Sequence, residues 1–269
     1  MNDVEVARSA AIAGSHIVRQ RFGRTTTRIE KGHAFEFATD ADLDAERAIV
    51  ETLRRERPSD AVLGEESGRT GGEGNRLWLV DPLCGTTNFA AGVPLVAVNV
   101  GLAVAGRPIV GAVVDPFHDE LFWTDGTAAG MLRNDESLPL VPSGDSRAVD
   151  FNLEPPYPSA PGFSALAMMG DPAFTRTFQP RVTSTSLTLT WVAMGRRAAY
   201  VTDGHLADHM HFAAGIAICR AAGCTVTDLS GGPLPPDGNG HGLLAAADES
   251  THAALLAIVR RLAGDRLAT

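Results

Sequence analysis

Three small residues that follow an apolar segment are placed to bind an anion next to a metal ion. Residues 77–80 (Leu-Trp-Leu-Val) predict a buried strand that ends at Asp81, and a tight turn leads on to Gly85, Thr86 and Thr87. The backbone N–H groups of these three residues are free at the expected start of a helix, where anions bind. A carboxylate beside such N–H groups is suited to hold a cation and a phosphate together.

Two further carboxylate positions lie at predicted element boundaries. Asp42 stands at a helix start, and Glu65 and Glu66 follow a short apolar strand that begins at residue 61. Mg²⁺ takes oxygen ligands that converge from separate elements. Taken singly, Asp42 could be a helix cap and the two glutamates a solvated turn. Together with Asp81 and the Gly-Thr-Thr segment, they indicate a metal and phosphate site.

Hydrophobic periodicity predicts an α+β protein with two sheets. Residues 1–136 are expected to form an N-terminal half that carries the metal motifs, and residues 137–269 a C-terminal half that closes the site. We expect helices at 4–22, 39–57, 183–194, 211–222 and 251–262, strands at 61–68, 77–80, 198–202, 224–228 and 242–247, and an antiparallel meander over 93–123. Residues 24–38 are interpreted as a loop or short hairpin, 69–75 as a Gly-rich turn, and 137–164 as a long connection.

Composition argues against several classes of protein. The 269 residues are 44% hydrophobic with a net charge of −9, and this acidic balance lacks the basic footprint of a nucleic-acid-binding protein. Three cysteines, without framework spacing, do not predict a disulfide-stapled secreted fold. The sequence shows neither a targeting segment nor an apolar stretch of membrane-spanning length. We therefore expect a cytoplasmic protein that binds neither nucleic acid nor membrane.

Four segments together resemble the inositol monophosphatase family of metal-dependent sugar and polyol phosphatases. They are Gly-Glu-Glu at 64–66, Trp-Leu-Val-Asp-Pro-Leu-Cys-Gly-Thr-Thr-Asn-Phe at 78–89, the stretch 115–122 that begins with Asp-Pro, and Ala-Ala-Gly at 213–215. The resemblance covers nearly the whole chain. It implies an alternating α-β-α-β-α sandwich, assembly as a homodimer, and a small, anionic, phosphorylated substrate.

The resemblance also implies roles for individual residues. Glu65 and Asp81, with the Leu83 carbonyl, match the family's first metal site, which binds Mg²⁺. Glu65 and Thr86 match the pair that positions the attacking water. The amides of Gly85 and Thr86 match the phosphate cradle. The first metal site is therefore expected to be intact.

Two residues with implied roles also have plain structural readings. Lys31, the sole lysine of the chain, falls in the family's mobile catalytic loop, although it could be an ordinary surface lysine. Asp203 lies in a segment that contacts sugar hydroxyls in the family, and it could bind a hydroxyl or hold a turn. That segment looks slightly longer than usual here, so inositol itself is not the expected substrate.

The chain departs from the family at the second metal site. Cys84 and His211 replace two family aspartates that bind the same ion, so we expect the two side chains to lie next to each other. Mg²⁺ does not accept a thiol and an imidazole in place of carboxylates. Three outcomes follow: Zn²⁺ on Cys84, His211 and Asp81, a metal-free Cys–His pair with nucleophilic or acid–base chemistry, or a catalytically inactive binding site.

The expected function is therefore that of an altered family member. We predict an inositol-monophosphatase-like enzyme that acts on a small phosphorylated or polyhydroxylated metabolite, with ordinary Mg²⁺-dependent phosphate monoester hydrolysis weakened or replaced. One alternative is a changed reaction in specialised metabolism, such as a cyclisation, elimination or acyl transfer that uses Cys84 and His211. The other is a non-catalytic binding or regulatory homologue.

Overall fold

The computed structural model describes residues 1–31, 37–153, 162–205, 210–235 and 241–264. Contacts divide the chain into two compact units. Unit 1 comprises Met1–Pro139, Thr185–Leu187 and His209–Ile218, and unit 2 comprises Leu140–Ser184, Thr188–Asp208 and Cys219–Thr269. Unit 1 thus includes two short segments from the later part of the chain, and both contribute to the site described below.

Unit 1 contains an eight-stranded sheet in the order β10-β9-β8-β7-β6-β5-β3-β4. Strands β3 and β5 are parallel, and the other neighbours are antiparallel. The strands are β3 (Ala61–Gly64), β4 (Gly68–Gly71), β5 (Arg76–Cys84), β6 (Ala97–Val104), β7 (Arg107–Asp115), β8 (Glu120–Thr124), β9 (Ala129–Arg133) and β10 (Glu136–Pro139). The predicted meander corresponds to β6, β7 and β8, and it continues through β9 and β10.

Two helices pack on one face of this sheet. Helix α1 (Asp3–Arg21) begins at an Asn2 capping box, and α2 (Asp40–Glu56) begins at a Thr39 capping box. Their apolar faces share one buried core with Trp78 of β5. Both predicted helices are confirmed. Burial of their apolar stripes, rather than helix propensity alone, stabilises them.

Helix α7 (Ala213–Ala221) begins on the opposite face of the same sheet. Its first residue, Ala213, packs with Leu79 and Ala103, and Leu79 alternates with Trp78 along β5, so the two side chains point to opposite faces. Ahead of α2, β1 (Arg28–Glu30) and β2 (Phe37–Thr39) form a two-stranded antiparallel sheet. Helix α3 (Thr86–Ala90) follows β5 directly.

Unit 2 contains a five-stranded mixed sheet in the order β12-β11-β13-β15-β14. A core that includes Phe151, Phe174 and Leu255 packs between its strands and helices. The elements are β11 (Ala148–Asn152), α4 (Ala165–Met169), α5 (Pro172–Thr175), β12 (Gln179–Val182), α6 (Leu187–Ala193), β13 (Ala199–His205), β14 (Thr225–Thr227), β15 (His241–Ala246) and α8 (Glu249–Ala263). No helix in the described part of the chain has the length and apolar character to cross a membrane.

Two element predictions are wrong. The expected turn at 69–75 contains β4, which pairs antiparallel with β3 because Gly68, at a positive φ of 68°, permits a tight reversal. The expected long connection at 137–164 contains β10 and the fully buried β11. The polar residue Asp150 interrupts the apolar pattern of β11, and its ion pair with Arg197 makes this burial tolerable.

Candidate functional site

A β-bulge places Asp81 and Cys84 on the same face of β5. Asp81 pairs with Asn99 and Cys84 with Ala97, so three steps along β5 match two steps along β6. Residues three apart in a regular strand point to opposite faces, and the extra residue reverses this. Pro82 lies within the bulge, where the missing N–H costs no ladder hydrogen bond.

His211 joins this pair from the other end of the sequence. Its Nδ1 lies 2.8 Å from Oδ2 of Asp81, a side chain that is fully buried. One ligand atom each from Asp81, Cys84 and His211 lie within 4.8 Å of one another. The structure thus brings together Cys84 and His211, as the sequence predicted, next to Asp81.

Two neighbours of this group were missed in the sequence analysis. The Ser186 backbone N–H donates to Sγ of Cys84 at 3.1 Å, and the Ser186 hydroxyl donates to Oδ1 of Asn99 at 3.2 Å. Nδ2 of Asn99 is buried without a hydrogen-bond partner among the described residues. Only the cross-strand register of β5 and β6 could have indicated Asn99, and no sequence signal indicates Ser186.

Glu65 is positioned by a buried carboxylate on α2. Glu46, only 3% exposed, accepts hydrogen bonds from the backbone N–H groups of Glu66 at 2.7 Å and Ser67 at 2.8 Å. A Cβ at Gly64 would stand 2.6 Å from the Glu46 carboxyl carbon, so glycine is needed there. Glu46 therefore holds the turn that follows β3 and sets the direction of Glu65.

Lys31 is bound to the two glutamates of this turn. Its Nζ donates to Oε1 of Glu65 at 2.9 Å and to Oε1 of Glu66 at 2.6 Å. Burial alone would lower the pKa of Lys31, but the two carboxylates raise it above its ordinary value. Lys31 is thus a fixed positive charge at this end of the site. It is not a free surface lysine.

Asp42 is both a helix cap and a contact of Thr86. Its Oδ2 accepts from the Thr39 backbone N–H at 2.8 Å, which completes the capping box. Its Oδ1 lies 2.9 Å from the Thr86 hydroxyl, which is also 3.1 Å from the Leu83 carbonyl oxygen. Thr86, the residue expected to orient a water, therefore links the start of α2 to the bulge of β5.

The charges of the site are unevenly compensated. Burial and the charge of Asp81 raise the pKa of Glu65, against the opposing effects of His211 and Lys31. Burial alone would lower the pKa of His211, but Asp81 and the hydrogen bond with Cys84 raise it well above its ordinary value. Burial and the charge of Asp81 raise the pKa of the Cys84 thiol to about 11. Without a metal, the group therefore holds a neutral thiol and an imidazolium.

The shift at Glu66 predicts how stability depends on pH. Burial raises the pKa of Glu66 from 4.5 to about 7, so the folded protein holds this proton more tightly than the unfolded one. This contribution to the free energy of unfolding falls as the pH rises through that interval. In metal-free buffer, the free energy of unfolding of Glu66→Gln should decline less steeply with pH than that of wild type between about pH 5 and pH 7.5. Denaturant titrations at a series of pH values measure this free energy. Glu73→Gln, at an exposed position, is the control. The same dependence of stability on pH in all three proteins would contradict the raised pKa of Glu66.

The donor atoms decide which part of the site fits Mg²⁺. Glu65, Asp81 and the Leu83 carbonyl offer oxygen only, and the mutual repulsion of the two carboxylates, of which Asp81 is fully buried, favours a divalent cation. This set fits Mg²⁺. The group of Asp81, Cys84 and His211 offers oxygen, sulfur and nitrogen, and it does not fit Mg²⁺.

Comparison with known proteins establishes the family. The sequence profile of the inositol monophosphatase family matches residues 2–263. The chain belongs to the inositol monophosphatase family. This is a family of phosphatases that are generally metal-dependent and act on small, anionic, phosphorylated substrates.

Individual relatives agree with this assignment. Inositol-1-monophosphatase of Synechocystis is 41% identical over 120 residues, and this match spans 44% of the present chain but only 42% of that protein. Nus factor SuhB of Vibrio cholerae is 31% identical over 227 residues, 84% of each chain. The solved inositol monophosphatase of Anabaena superposes with a TM-score of 0.78 at 28% identity, over 96% of this chain and 95% of that one. This similarity confirms the predicted α+β layered sandwich.

Of the predicted substrate-binding positions, Gly85 and Thr87 lie at the start of α3 in unit 1, and Asp203 lies in unit 2. Gly85, with a φ of 105°, makes the sharp turn from β5 into α3, and Thr87 is exposed on the first turn of that helix. Asp203 belongs to unit 2, where its Oδ2 accepts from the Ala165 backbone N–H at 2.9 Å. Its Oδ1 is buried without a partner among the described residues.

Proposed function

We propose that this family member is an enzyme for a small phosphorylated or polyhydroxylated metabolite, in which ordinary Mg²⁺-dependent phosphate monoester hydrolysis is weakened or replaced. One observation carries the proposal. Asp81 belongs both to an oxygen-only set that fits Mg²⁺ and to a group with Cys84 and His211 that does not. A site that had lost all function would have no reason to keep the oxygen-only set together with Thr86.

The retained part of the site can still bind and orient a phosphate ester. Mg²⁺ on Glu65, Asp81 and the Leu83 carbonyl would polarise a phosphoryl oxygen. Glu65 and Thr86 are proposed to orient the attacking water. The first amides of α3, at Gly85, Thr86 and Thr87, are proposed to receive phosphate oxygens, since the first N–H groups of a helix lack partners within it. Asp203 is proposed to bind a substrate hydroxyl through its Oδ1, which has no partner among the described residues.

The group of Asp81, Cys84 and His211 does not provide a site for a second Mg²⁺. In two-metal phosphatases the second ion stabilises the leaving oxygen, and ions in this role supply several kcal/mol. Cys84 and His211 cannot hold Mg²⁺ for this purpose. Phosphate monoester hydrolysis should therefore be slow, and a reaction that needs no second hard ion, such as a cyclisation, elimination or acyl transfer, is compatible with the remaining residues.

Restoring the family aspartates tests the proposal. The double variant Cys84→Asp with His211→Asp should hydrolyse phosphate monoesters with Mg²⁺ at least about 100-fold faster than wild type, because a stabilisation of several kcal/mol returns. The measurement is phosphate release over a panel of sugar and polyol phosphates. Glu65→Gln in the restored background is the control, and it should abolish the gain. Equal activity of wild type and double variant would overturn the proposal.

A second candidate function is a non-catalytic, regulatory role. It is favoured by relatives that carry the name Nus factor SuhB rather than the name of an enzyme. Under this proposal, Cys84→Ala and Glu65→Gln would both complement a deletion strain as well as wild type. Loss of complementation by Glu65→Gln would favour the enzyme.

Location and assembly complete the proposal. A reducing cytoplasm agrees with three cysteines that are all free thiols. The homodimer is carried over from the family resemblance, and light scattering of the purified protein measures it directly.

A further inference from the structure

We infer that Asp81, Cys84 and His211 form a zinc site, so that one oxygen, one sulfur and one nitrogen ligand hold Zn²⁺ in place of the second Mg²⁺. The proposed function and this inference both involve Asp81, Cys84 and His211. The inference concerns which metal ion these residues bind, and it is measured without substrate. Either can therefore fail alone.

The ligand types and their spacing match zinc. Zn²⁺ binds thiolate sulfur, imidazole nitrogen and carboxylate oxygen at about 2.0–2.3 Å, which separates tetrahedral ligands by about 3.3–3.6 Å. The three ligand atoms here all lie within 4.8 Å of one another, and Oδ2 of Asp81 lies 2.8 Å from Nδ1 of His211. Small side-chain movements would bring the set to tetrahedral spacing. Three protein ligands with one open position are the arrangement of catalytic zinc sites.

The surrounding contacts are those that support a metal-bound thiolate and carboxylate. The Ser186 backbone N–H donates to Sγ of Cys84 at 3.1 Å, and the Leu83 backbone N–H donates to Oδ1 of Asp81 at 3.1 Å. Such outer contacts orient metal ligands and tune their basicity. Asn99 contributes a second, independent observation, because its buried Nδ2 lacks a hydrogen-bond partner in the part of the chain that the structure describes. A buried donor without a partner indicates an additional acceptor nearby, such as a water on the open position of a metal.

The group is also accessible to solvent. The His211 side chain is 42% exposed, which leaves a route for an ion to enter. Zn²⁺ is held by the thiolate of Cys84 and the neutral imidazole of His211, so its binding releases protons to solvent.

Metal titration of the full chain tests the zinc site. Metal-free protein is titrated with Zn²⁺ against a chromogenic chelator, and with Co²⁺ as a spectroscopic substitute. We expect one equivalent of Zn²⁺ per chain and a thiolate-to-cobalt absorption band. Cys84→Ser should remove the band and weaken Zn²⁺ binding at least about 100-fold, since lost outer contacts alone cost 10-fold to 100-fold. His211→Ala, at a half-exposed position, should weaken binding similarly without risk to folding.

The other two cysteines provide the matched control. Cys219 and Cys224 are buried free thiols of unit 2, and Cys224→Ser should keep both the cobalt band and the stoichiometry. A band that survives Cys84→Ser but disappears with Cys224→Ser would overturn the inference. Absence of any thiolate-bound metal in wild type would also overturn it and would leave the metal-free Cys–His pair. The restored Cys84→Asp, His211→Asp variant should bind Mg²⁺ instead of Zn²⁺.

Discussion

Replacing Glu46 by alanine is expected to lower the free energy of unfolding by about 2–4 kcal/mol and to abolish the activity of the restored double variant. The buried carboxylate of Glu46 accepts the backbone N–H groups of Glu66 and Ser67. A buried donor left without a partner costs about 1–3 kcal/mol, and both hydrogen bonds here are partly buried. Since these two N–H groups define the turn after β3, the loss of their acceptor also allows the Glu65 side chain to change its orientation relative to Asp81.

Two measurements separate these effects. Urea denaturation followed by circular dichroism gives the stability loss, and phosphate release in the Cys84→Asp, His211→Asp background gives the functional loss. Glu51→Ala is the matched control, because Glu51 lies on the same helix but is exposed, and it should change stability by less than about 0.5 kcal/mol. Glu46→Gln retains one good acceptor, so its loss of stability should lie between the losses of Glu46→Ala and Glu51→Ala. A Glu46→Ala variant as stable as Glu51→Ala would show that the turn does not depend on Glu46.

Much of the site was predictable because its residues belong to a long motif. The position of Asp81 close to the end of a buried strand, the start of α2 beside Asp42 and the proximity of Cys84 and His211 all follow from residue types at fixed positions, although β5 runs on through a bulge to Cys84. The supports of the site were not predictable in this way. Glu46 lies on the buried face of α2 with Ile49 and Leu53, but the sequence does not show which groups its carboxylate binds there. A backbone N–H such as that of Ser186 leaves no trace in a sequence.

The fold was predictable where apolar periodicity is unbroken. Helices α1 and α2 and the meander through β8 follow their patterns closely. Prediction failed at β11, where Asp150 is buried, and at β4, a short strand of Gly, Arg and Thr with exposed positions. In both cases tertiary contacts, an ion pair for β11 and pairing with β3 for β4, override a weak local pattern.

The charges of the site explain what the two departures change. Lys31 supplies a positive charge at the Glu65 end, and the His211 imidazolium supplies another at the Asp81 end. The family resemblance implies that Cys84 and His211 stand where the family has two aspartates at the second metal site. Two neighbouring aspartates repel each other unless a divalent cation lies between them. The Cys84 and His211 pair lowers that need, because His211 brings its own positive charge and Cys84 is neutral as a thiol.

Replacing Gly111 by alanine is expected to destabilise the protein by about 1–3 kcal/mol, the usual cost of overpacking, and to weaken metal binding at His211. Gly101 and Gly111 are paired across β6 and β7, and the first turn of α7 lies against them. A Cβ at position 111 would stand 2.7 Å from the Ala214 carbonyl oxygen and 2.8 Å from its Cα. Both are backbone atoms, so the helix itself must move.

Because His211 lies two residues before α7, any movement of this helix changes the distance between His211 and Asp81. The Gly111→Ala variant should therefore lose Zn²⁺ affinity as well as stability, while Gly74→Ala, where a new Cβ meets nothing within 4 Å, should lose neither. Thermal unfolding and zinc titration of the same preparations measure both quantities. Lost stability with unchanged zinc affinity would mean that His211 is held by Asp81 alone. Lost affinity would show that the glycine pair of β6 and β7 sets the position of the imidazole through the close approach of α7.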